Sequence, residues 1–171
     1  MPKGGEQETT ANLAAFDAAI AAATNAQVCW EALQIVCEAT AGARLFTVTT
    51  VDKTAGLARR AYTSNPIAYP VSGTKPIHRD AWFAIVHDKH QLFVANTLAG
   101  IAEVFPDHQL IGSLGCGAVV NLPVVLAGEL AATVNMLDAE HHYNPARVAA
   151  IAAHLSMPAK LALLAARQFE S

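Results

Sequence analysis

The clearest pattern of apolar and polar positions lies in residues 112–138, which read as two strand-length apolar runs joined by Ala127-Gly128. A short turn-rich step between two such runs is typical of a hairpin with a two-residue turn. Asn121 and Asn135 interrupt the runs, and a buried amide in a strand must find hydrogen-bond partners. The pattern therefore predicts a hairpin with polar side chains set into it, forming one wall of a small cavity.

Two helices are predicted before the sheet. Apolar residues recur at helical spacing in residues 10–23. A second helix is predicted to begin at Thr24, because Thr24 and Gln27 have the spacing of a capping box, and to end at Gly42. Residues 1–9 are polar and contain two glycines, so we expect them to form a disordered or frayed tail.

A long amphipathic helix is predicted at the C-terminal end of the chain. Asn144 caps this helix and Pro145 opens it. Pro158 is expected to kink it near His154, because proline has no N–H to donate to the carbonyl four residues earlier.

The middle of the chain predicts strands connected by a rigid loop and a short helix. Residues 64–76 contain three prolines and a glycine, which predicts a stiff, ordered loop. Asp80 can cap a short helix at residues 81–87, whereas residues 96–114 are irregular or briefly helical. The other predicted strands are residues 44–51, 57–63 and 91–95.

These elements predict an α+β fold with α/β/α layers. The chain has 171 residues, which fits one domain, and we expect a single domain at residues 10–171 after the tail. Net charge is −3, with 11 basic and 14 acidic side chains, so the broad basic surface of a nucleic-acid-binding protein is missing. We therefore expect no nucleic-acid partner.

Membrane association and disulfide formation are also disfavoured. No stretch of about 18 apolar residues predicts a membrane span. The three cysteines, Cys29, Cys37 and Cys116, are an odd number, and Cys29 and Cys37 lie too far apart along one helix for a disulfide. We expect reduced thiols, a cytoplasmic location and no membrane partner.

The order of elements resembles a GAF domain over about residues 10–168. The closest likeness is the hairpin, where an apolar strand with a Val-Pro-like step at Leu122-Pro123 is followed by the Gly128 turn and an alanine-containing strand. The resemblance implies a central antiparallel sheet with terminal helices on one face and a pocket on the other, under a short helix and loops. It also implies a sensory or regulatory domain that binds a small molecule and forms a homodimer through its first and last helices. Most such domains are fused to an output domain, whereas we expect this one to be free-standing.

The resemblance implies a pocket between the sheet and residues 69–114. Apolar and aromatic walls with a few polar groups are what small-ligand sites require. Lys75, the one cation of the rigid loop, could meet a small anion or remain solvated, and Trp82 could be pocket wall or core. The candidate ligand-binding residues are Tyr69, Lys75, Trp82, Val86, Asn96, His108, Cys116 and Asn121.

The two hairpin amides are expected on opposite faces of the sheet. With a two-residue turn at Ala127-Gly128, Asn121 would face Val134 and Asn135 would face Val120. At most one amide could then reach the pocket, and we favour Asn121. An amide that bonds only to loop backbone is an equally good interpretation.

No metal or cofactor is expected. His87-x-x-His90 and the cluster Asp138-Ala-Glu140-His141-His142 are rich in ligand-type side chains. The first crosses the end of a helix and the second lies in a loop before a capped helix, and neither has tetrahedral ligand spacing.

Two alternatives to a ligand sensor remain open. Free methionine sulfoxide reductase is a GAF-like enzyme that uses cysteine thiolates, and Cys116 lies near a cysteine position of that family. The further cysteine expected in residues 81–104 is missing, so we predict no catalytic residue and favour a protein that is not an enzyme. The third interpretation is a ligand-free scaffold that regulates a separate signalling protein.

Overall fold

The computed structural model describes residues 3–170, which form a six-stranded antiparallel sheet between two layers of helices and loops. This arrangement confirms the α+β prediction. The helices are α1 (Lys3–Ala21), α2 (Ala26–Ala41), α3 (Ala81–Phe83), α4 (Leu98–Ala102), α5 (His108–Ser113), α6 (Pro145–His154) and α7 (Ser156–Arg167). The strands are β1 (Leu45–Asp52), β2 (Leu57–Thr63), β3 (Lys75–Pro76), β4 (Phe93–Ala95), β5 (Ala118–Leu126) and β6 (Glu129–Asp138).

The strand order is β3-β2-β1-β6-β5-β4, with every neighbouring pair antiparallel. The hairpin of β5 and β6 lies inside this sheet, as the apolar runs predict. Its turn residues Ala127 and Gly128 have φ angles of 51° and 81°. Positive φ at both positions is the geometry of a tight two-residue hairpin turn.

One face of the sheet packs against the terminal helices α1, α2, α6 and α7. Alternate strand residues such as Phe46, Val120, Val134 and Met136 form one buried cluster with side chains of these helices. The opposite face carries Thr47, Asn121 and Asn135, and it is covered by the loop of residues 64–74, by α3 and by the segment that contains α4 and α5. The fold therefore separates an apolar core from a polar sheet surface that also lies under cover.

A β-bulge changes the register of the hairpin. Val125 pairs with Leu130, but Val124 pairs with Ala132, so Ala131 is an extra residue in β6. Beyond the bulge Asn121 pairs directly with Asn135. The expectation that these amides lie on opposite faces is wrong, because one additional residue turns the rest of the strand to the other face.

A second bulge lies between β1 and β2. Val48 pairs with Tyr62 and Thr49 pairs with Arg60, which leaves Ala61 as the extra residue. The Tyr62 hydroxyl donates to Gln34 Oε1 of α2 at 2.6 Å, whereas Arg60 lies on the covered face of the sheet. In a regular strand Arg60 and Tyr62 would share one face, but the bulge places them on opposite faces.

The first two helices begin differently from the sequence prediction. Helix α1 includes Lys3 and the following residues, so the part of the predicted tail that the structure describes is helical; residues 1 and 2 lie outside the described residues. Asn25 rather than Thr24 caps α2, with its Oδ1 accepting from the N–H of Val28 at 3.0 Å. Asparagine and threonine are both good caps, and the position that reaches the third helical N–H is the one used.

The middle of the chain departs from the prediction in two details. Residues 75 and 76 pair with β2 as a short edge strand, a position that tolerates proline. Asp80 caps α3 as predicted, accepting from the N–H of Phe83 at 2.8 Å, but the helix continues as a π-helical turn over Ala84–Asp88.

The proline bend near His154 is confirmed. Helix α6 ends at His154, α7 begins at Ser156, and their axes differ by 49°. Among residues 3–170, no single helix is long and apolar enough to cross a membrane, and only the bent pair α6 and α7 together reaches that length and composition.

Candidate functional site

A cavity of about 360 Å³ lies between the sheet and its cover. Strands β1, β2, β5 and β6 form the floor, and Trp82 of α3 and the residues before α5 form part of the opposite wall. The edge strand β3 lies at the mouth, where Lys75 and Pro76 are exposed. The volume is in the range of small-molecule sites. Most of the wall is apolar, with side chains that include Val51, Ile77, Phe105, Val119 and Leu130.

A chain of hydrogen bonds crosses the floor of the cavity. Trp82 Nε1 donates to Asn121 Oδ1 at 2.8 Å, and Asn121 Nδ2 donates to Asn135 Oδ1 at 2.7 Å. Asn135 Nδ2 in turn lies 3.1 Å from Thr47 Oγ1 and 3.2 Å from Thr49 Oγ1. The chain connects α3 to three neighbouring strands and fixes the direction of both amides.

A second row of polar side chains runs beside this chain. Thr49 of β1 pairs with Arg60 of β2 on one side and with Thr133 of β6 on the other. All three residues line the cavity. Side chains at directly opposed positions of neighbouring strands lie within reach of one another, so a guanidinium and two hydroxyls lie side by side.

Arg60 is held at one end of this row. Its Nη1 donates to the carbonyl of Pro70 at 2.8 Å, and its Nη2 lies 3.8 Å from Asp107 Oδ2. The guanidinium carbon lies 3.7 Å from the centre of the Tyr69 ring, in a cation–π arrangement. Only 18% of the Arg60 side chain is exposed, so the rigid loop that carries Tyr69 and Pro70 keeps a positive charge inside the cavity.

Tyr69 connects the loop to the segment before α5. Its hydroxyl donates to Asp107 Oδ2. Burial raises the pKa of Tyr69, and the hydrogen bond and charge of Asp107 raise it further. The phenol therefore remains protonated and acts as a donor over the physiological pH range.

Four of the eight candidate ligand-binding residues line this cavity. They are Tyr69, Lys75, Trp82 and Asn121. Trp82 is both a wall of the cavity and the start of the hydrogen-bond chain, and Asn121 bonds to side chains rather than to loop backbone. Lys75 lies at the exposed mouth, so solvent reaches its ammonium group.

The other four candidates do not line the cavity, because each is committed to packing or to a backbone group. Val86 is fully buried on the π-helical turn. Asn96 forms two hydrogen bonds with the backbone of Tyr143, at 2.9 and 3.0 Å. His108 Nδ1 lies 3.1 Å from the carbonyl of Phe105. Cys116 belongs to a small apolar cluster with Leu45, Ile111 and others.

Sequence reasoning missed Arg60, Asn135 and the threonines of the floor. Arg60 lies in an ordinary strand pattern beside Arg59, and only the bulge at Ala61 directs it into the cavity. Asn135 was assigned to the wrong face for the same reason. The sequence signal that could have indicated these residues is the presence of polar side chains within three of the predicted strands.

The three cysteines are free and buried, and Cys116 lies in a different apolar cluster from Cys29 and Cys37. Burial raises the pKa of the Cys116 thiol to about 11, so the thiolate is scarce at neutral pH. Cys29 and Cys37 are fully buried in α2, on the opposite side of the sheet from the cavity, and burial raises the pKa of each. These raised pKa values do not favour the thiolate that a reductase of the cysteine type would use.

Side chains of the cluster at residues 138–142 bond to the backbone. His142 Nε2 lies 2.8 Å from the carbonyl oxygen of Ala41 and 3.6 Å from Asp138 Oδ2. Within residues 3–170 no group of three or more histidine, cysteine, aspartate or glutamate side chains is placed to hold a metal ion.

Comparison with known proteins gives no match to a protein-family model and none to a curated protein sequence. Solved structures do match. The GAF domain of a phosphoenolpyruvate-protein phosphotransferase from Coxiella burnetii is 18% identical, with a TM-score of 0.66 over 95% of this chain and 96% of that one. The GAF domain of a two-component sensor histidine kinase from Bacillus halodurans is 9% identical, with a TM-score of 0.68 over 87% of this chain and all of that one.

An enzyme has a similar structure. The free methionine-R-sulfoxide reductase from Neisseria meningitidis, solved with its substrate, is 15% identical, with a TM-score of 0.62 over 90% of this chain and 86% of that one. At these identities the likeness concerns the fold. Strand order, helix layers and the covered sheet face agree with it, and the chain is therefore a domain with the GAF fold.

Proposed function

We propose that this domain is a regulatory sensor that binds a small molecule in the cavity beneath Trp82. The observation that supports this proposal is that buried polar side chains line the cavity: Asn121 and Thr133 are only 3% and 2% exposed, and both face a volume of about 360 Å³. Burying polar side chains costs free energy unless their hydrogen bonds are satisfied. The internal hydrogen bonds of the floor already hold these side chains in place, so a ligand that bonds to them needs little further ordering of the protein.

The names of the structural neighbours support a regulatory role. One structural neighbour belongs to a sensor histidine kinase and another to a phosphotransferase. We propose that ligand binding in the cytoplasm alters how this domain engages a second copy or a separate signalling protein. Trp82 offers a connection, because it bonds to the cavity floor from the helix that covers it.

Thermal denaturation against a library of neutral, anionic and cationic metabolites tests the binding proposal. A compound that binds the folded state raises the melting temperature by mass action. Ala58→Phe places a bulky ring in the cavity and should abolish the rise, whereas Ala55→Phe, in the exposed turn between β1 and β2, should leave it unchanged. A library without any stabilising compound, or a rise that survives Ala58→Phe, would refute the cavity as the binding site.

We also propose a homodimer through the terminal helices, with α7 at its centre. Met157, Leu161 and Leu164 are 80%, 41% and 45% exposed and recur at helical spacing along one side of α7. Ile35 of the adjoining helix α2 is 66% exposed. The exposed surface of α2 is acidic at Glu31 and Glu38, while α7 carries Lys160 and Arg167. Charge complementarity therefore favours a second copy, with α7 of one protomer against α2 of the other.

Light scattering at micromolar concentration should give about twice 18.0 kDa. Leu161→Glu should shift the protein to a monomer, because a charge would be buried at the centre of the interface. Ile67→Glu is the matched control, since Ile67 is 94% exposed and lies in the loop on the other side of the sheet. A monomeric wild-type protein would exclude the dimer.

A further inference from the structure

We infer that the cavity takes an organic monocarboxylate, with its carboxylate over the row Arg60–Thr49–Thr133 and an apolar body against the remaining walls. This inference rests on the proposed function, because it names the ligand class of the same cavity. The hydrogen-bond donors and acceptors that line the cavity favour this class of ligand.

The free polar groups of the floor are donors. The Thr49 oxygen accepts from Asn135 Nδ2 at 3.2 Å, which leaves its hydroxyl proton to point elsewhere. Thr133 is 2% exposed and lines the cavity, so its hydroxyl lies within reach of a ligand bound there. A hydroxyl so deeply placed gains a bond when a ligand acceptor reaches it.

Arg60 adds a charged donor next to these hydroxyls. A guanidinium has five N–H groups, and the contacts to Pro70 and Asp107 engage Nη1 and Nη2 from the loop side. Stacking on Tyr69 fixes the plane of the fork. A fixed, planar fork of donors matches the geometry of a carboxylate better than that of a single neutral acceptor.

One oxygen of each carboxylate in the lining and the carbonyl oxygens of both floor amides are already engaged. Asp107 Oδ2 accepts from the Tyr69 hydroxyl, and Asp80 Oδ1 accepts from the N–H of Phe83. Asn121 Oδ1 accepts from Trp82 Nε1, and Asn135 Oδ1 accepts from Asn121 Nδ2. An ammonium group would compete with these donors and would be repelled by the like charge of the Arg60 guanidinium.

The charges of the lining disfavour a ligand with two negative charges. The lining has two permanent cations, Arg60 and Lys75, and two carboxylates, Asp80 and Asp107, with His78 and His87 near the mouth. The carboxylate of Asp107 partly offsets Arg60 from 3.8 Å. A dianion such as a phosphate monoester would face this carboxylate with too little positive charge to compensate it.

The rest of the cavity suits an apolar body. Val51, Leu130 and Val119 flank the polar rows on the sheet, and Phe105 and Trp82 face them from the cover. A volume of about 360 Å³ holds a compound of the size of an aryl or medium-chain acid.

Calorimetric titration with matched probes tests the inference. The probes are phenylacetate, hexanoate, phenylacetamide, phenyl phosphate and phenethylamine, so that charge varies while the apolar body is nearly constant. We expect at least one carboxylate to bind tenfold or more tightly than phenylacetamide, phenyl phosphate and phenethylamine. Arg60→Gln should weaken that carboxylate at least tenfold and leave phenylacetamide unchanged. Arg59→Gln, on the neighbouring exposed position of β2, should change neither.

Thr133→Val provides a second test that keeps the shape of the side chain. It should weaken the carboxylate about fivefold, and Thr50→Val, which lies outside the cavity lining, should not. The inference is overturned if the amide, the phosphate or the amine binds as tightly as the carboxylates, or if neither carboxylate binds. If the amide, the phosphate or the amine binds as tightly as the carboxylates and Ala58→Phe abolishes that binding, the sensor proposal still stands. If neither carboxylate binds and the metabolite library also yields no stabilising compound, the sensor proposal fails as well.

Discussion

Asn135 shows how much one side chain organises at the residue scale. Its carbonyl accepts from Asn121 and its amide nitrogen donates to Thr47 and Thr49, so it connects three strands at the floor of the cavity. Only 9% of the residue is exposed. Networks of this kind stabilise a fold when every member is satisfied and destabilise it when one is removed.

Asn135→Val should therefore lower the free energy of unfolding by about 1–3 kcal/mol, because Asn121 loses its acceptor while remaining buried. Urea denaturation with tryptophan fluorescence measures the change. Thr50→Val is the control, since the Thr50 hydroxyl makes only a 3.5 Å contact at an exposed position, and it should stay within about 0.5 kcal/mol of the wild type. Equal stability of the two variants would show that the amide chain contributes little.

At the scale of the elements, turns and caps follow local chemistry, whereas bulges do not. The β5–β6 turn and the Asp80 cap form at the residues that the sequence indicates. The bulges at Ala61 and Ala131 carry no comparable signal, although they decide which side chains enter the cavity. Their positions depend on which residues the terminal helices and the cover can accept on each face.

The end of α2 offers a test at this scale. Gly42 has a φ of 79°, and a Cβ there would lie 2.7 Å from Nε2 of His142, whose ring is held by the carbonyl of Ala41. Gly42→Ala should destabilise the protein by about 1–3 kcal/mol through backbone strain and the displaced imidazole.

Gly73→Ala is the matched change for this test, since no atom lies within 4 Å of the added methyl group. Its melting temperature should remain close to that of the wild type. If Gly42→Ala melts at the same temperature as Gly73→Ala, then the junction between α2 and the segment before α6 is not under the constraint that we describe.

The whole molecule carries several acidic groups that burial keeps protonated. Burial raises the pKa of Cys116 to about 11, and burial together with the nearby Glu31 and Glu38 raises that of Tyr62 to about 12. The pKa of Tyr143, whose hydroxyl donates to the carbonyl of Gly42, is raised as well. The folded state therefore retains protons that the unfolded chain releases.

Stability should consequently fall as the pH rises. A raised pKa in the folded state gives stability that is complete below the unfolded pKa, near 9 for a thiol, and is lost as the pH rises toward 11. Cys116 alone accounts for a loss of about 2 kcal/mol between pH 8 and 10.5. Urea denaturation across this range should show the decline, with a shallower slope for Cys116→Ala. A flat profile would contradict the burial of these groups.

What the sequence determined by itself was local. Apolar periodicity, helix caps, the hairpin turn and the proline bend near His154 depend on residues close together in the chain, and the resemblance to GAF domains followed from their order. The structure confirmed the α+β fold and placed Tyr69, Lys75, Trp82 and Asn121 around one cavity.

Only the tertiary structure decided which polar side chains share that cavity. Arg60 and Asn135 enter it because each of two strands accommodates one extra residue, and a shift of one residue exchanges the two faces of a strand. Such a shift is selected by packing against helices that are distant in sequence. The positions of Asn96 and Cys116 were misjudged for a related reason, since backbone partners and apolar neighbours supplied by remote segments hold both residues outside the cavity.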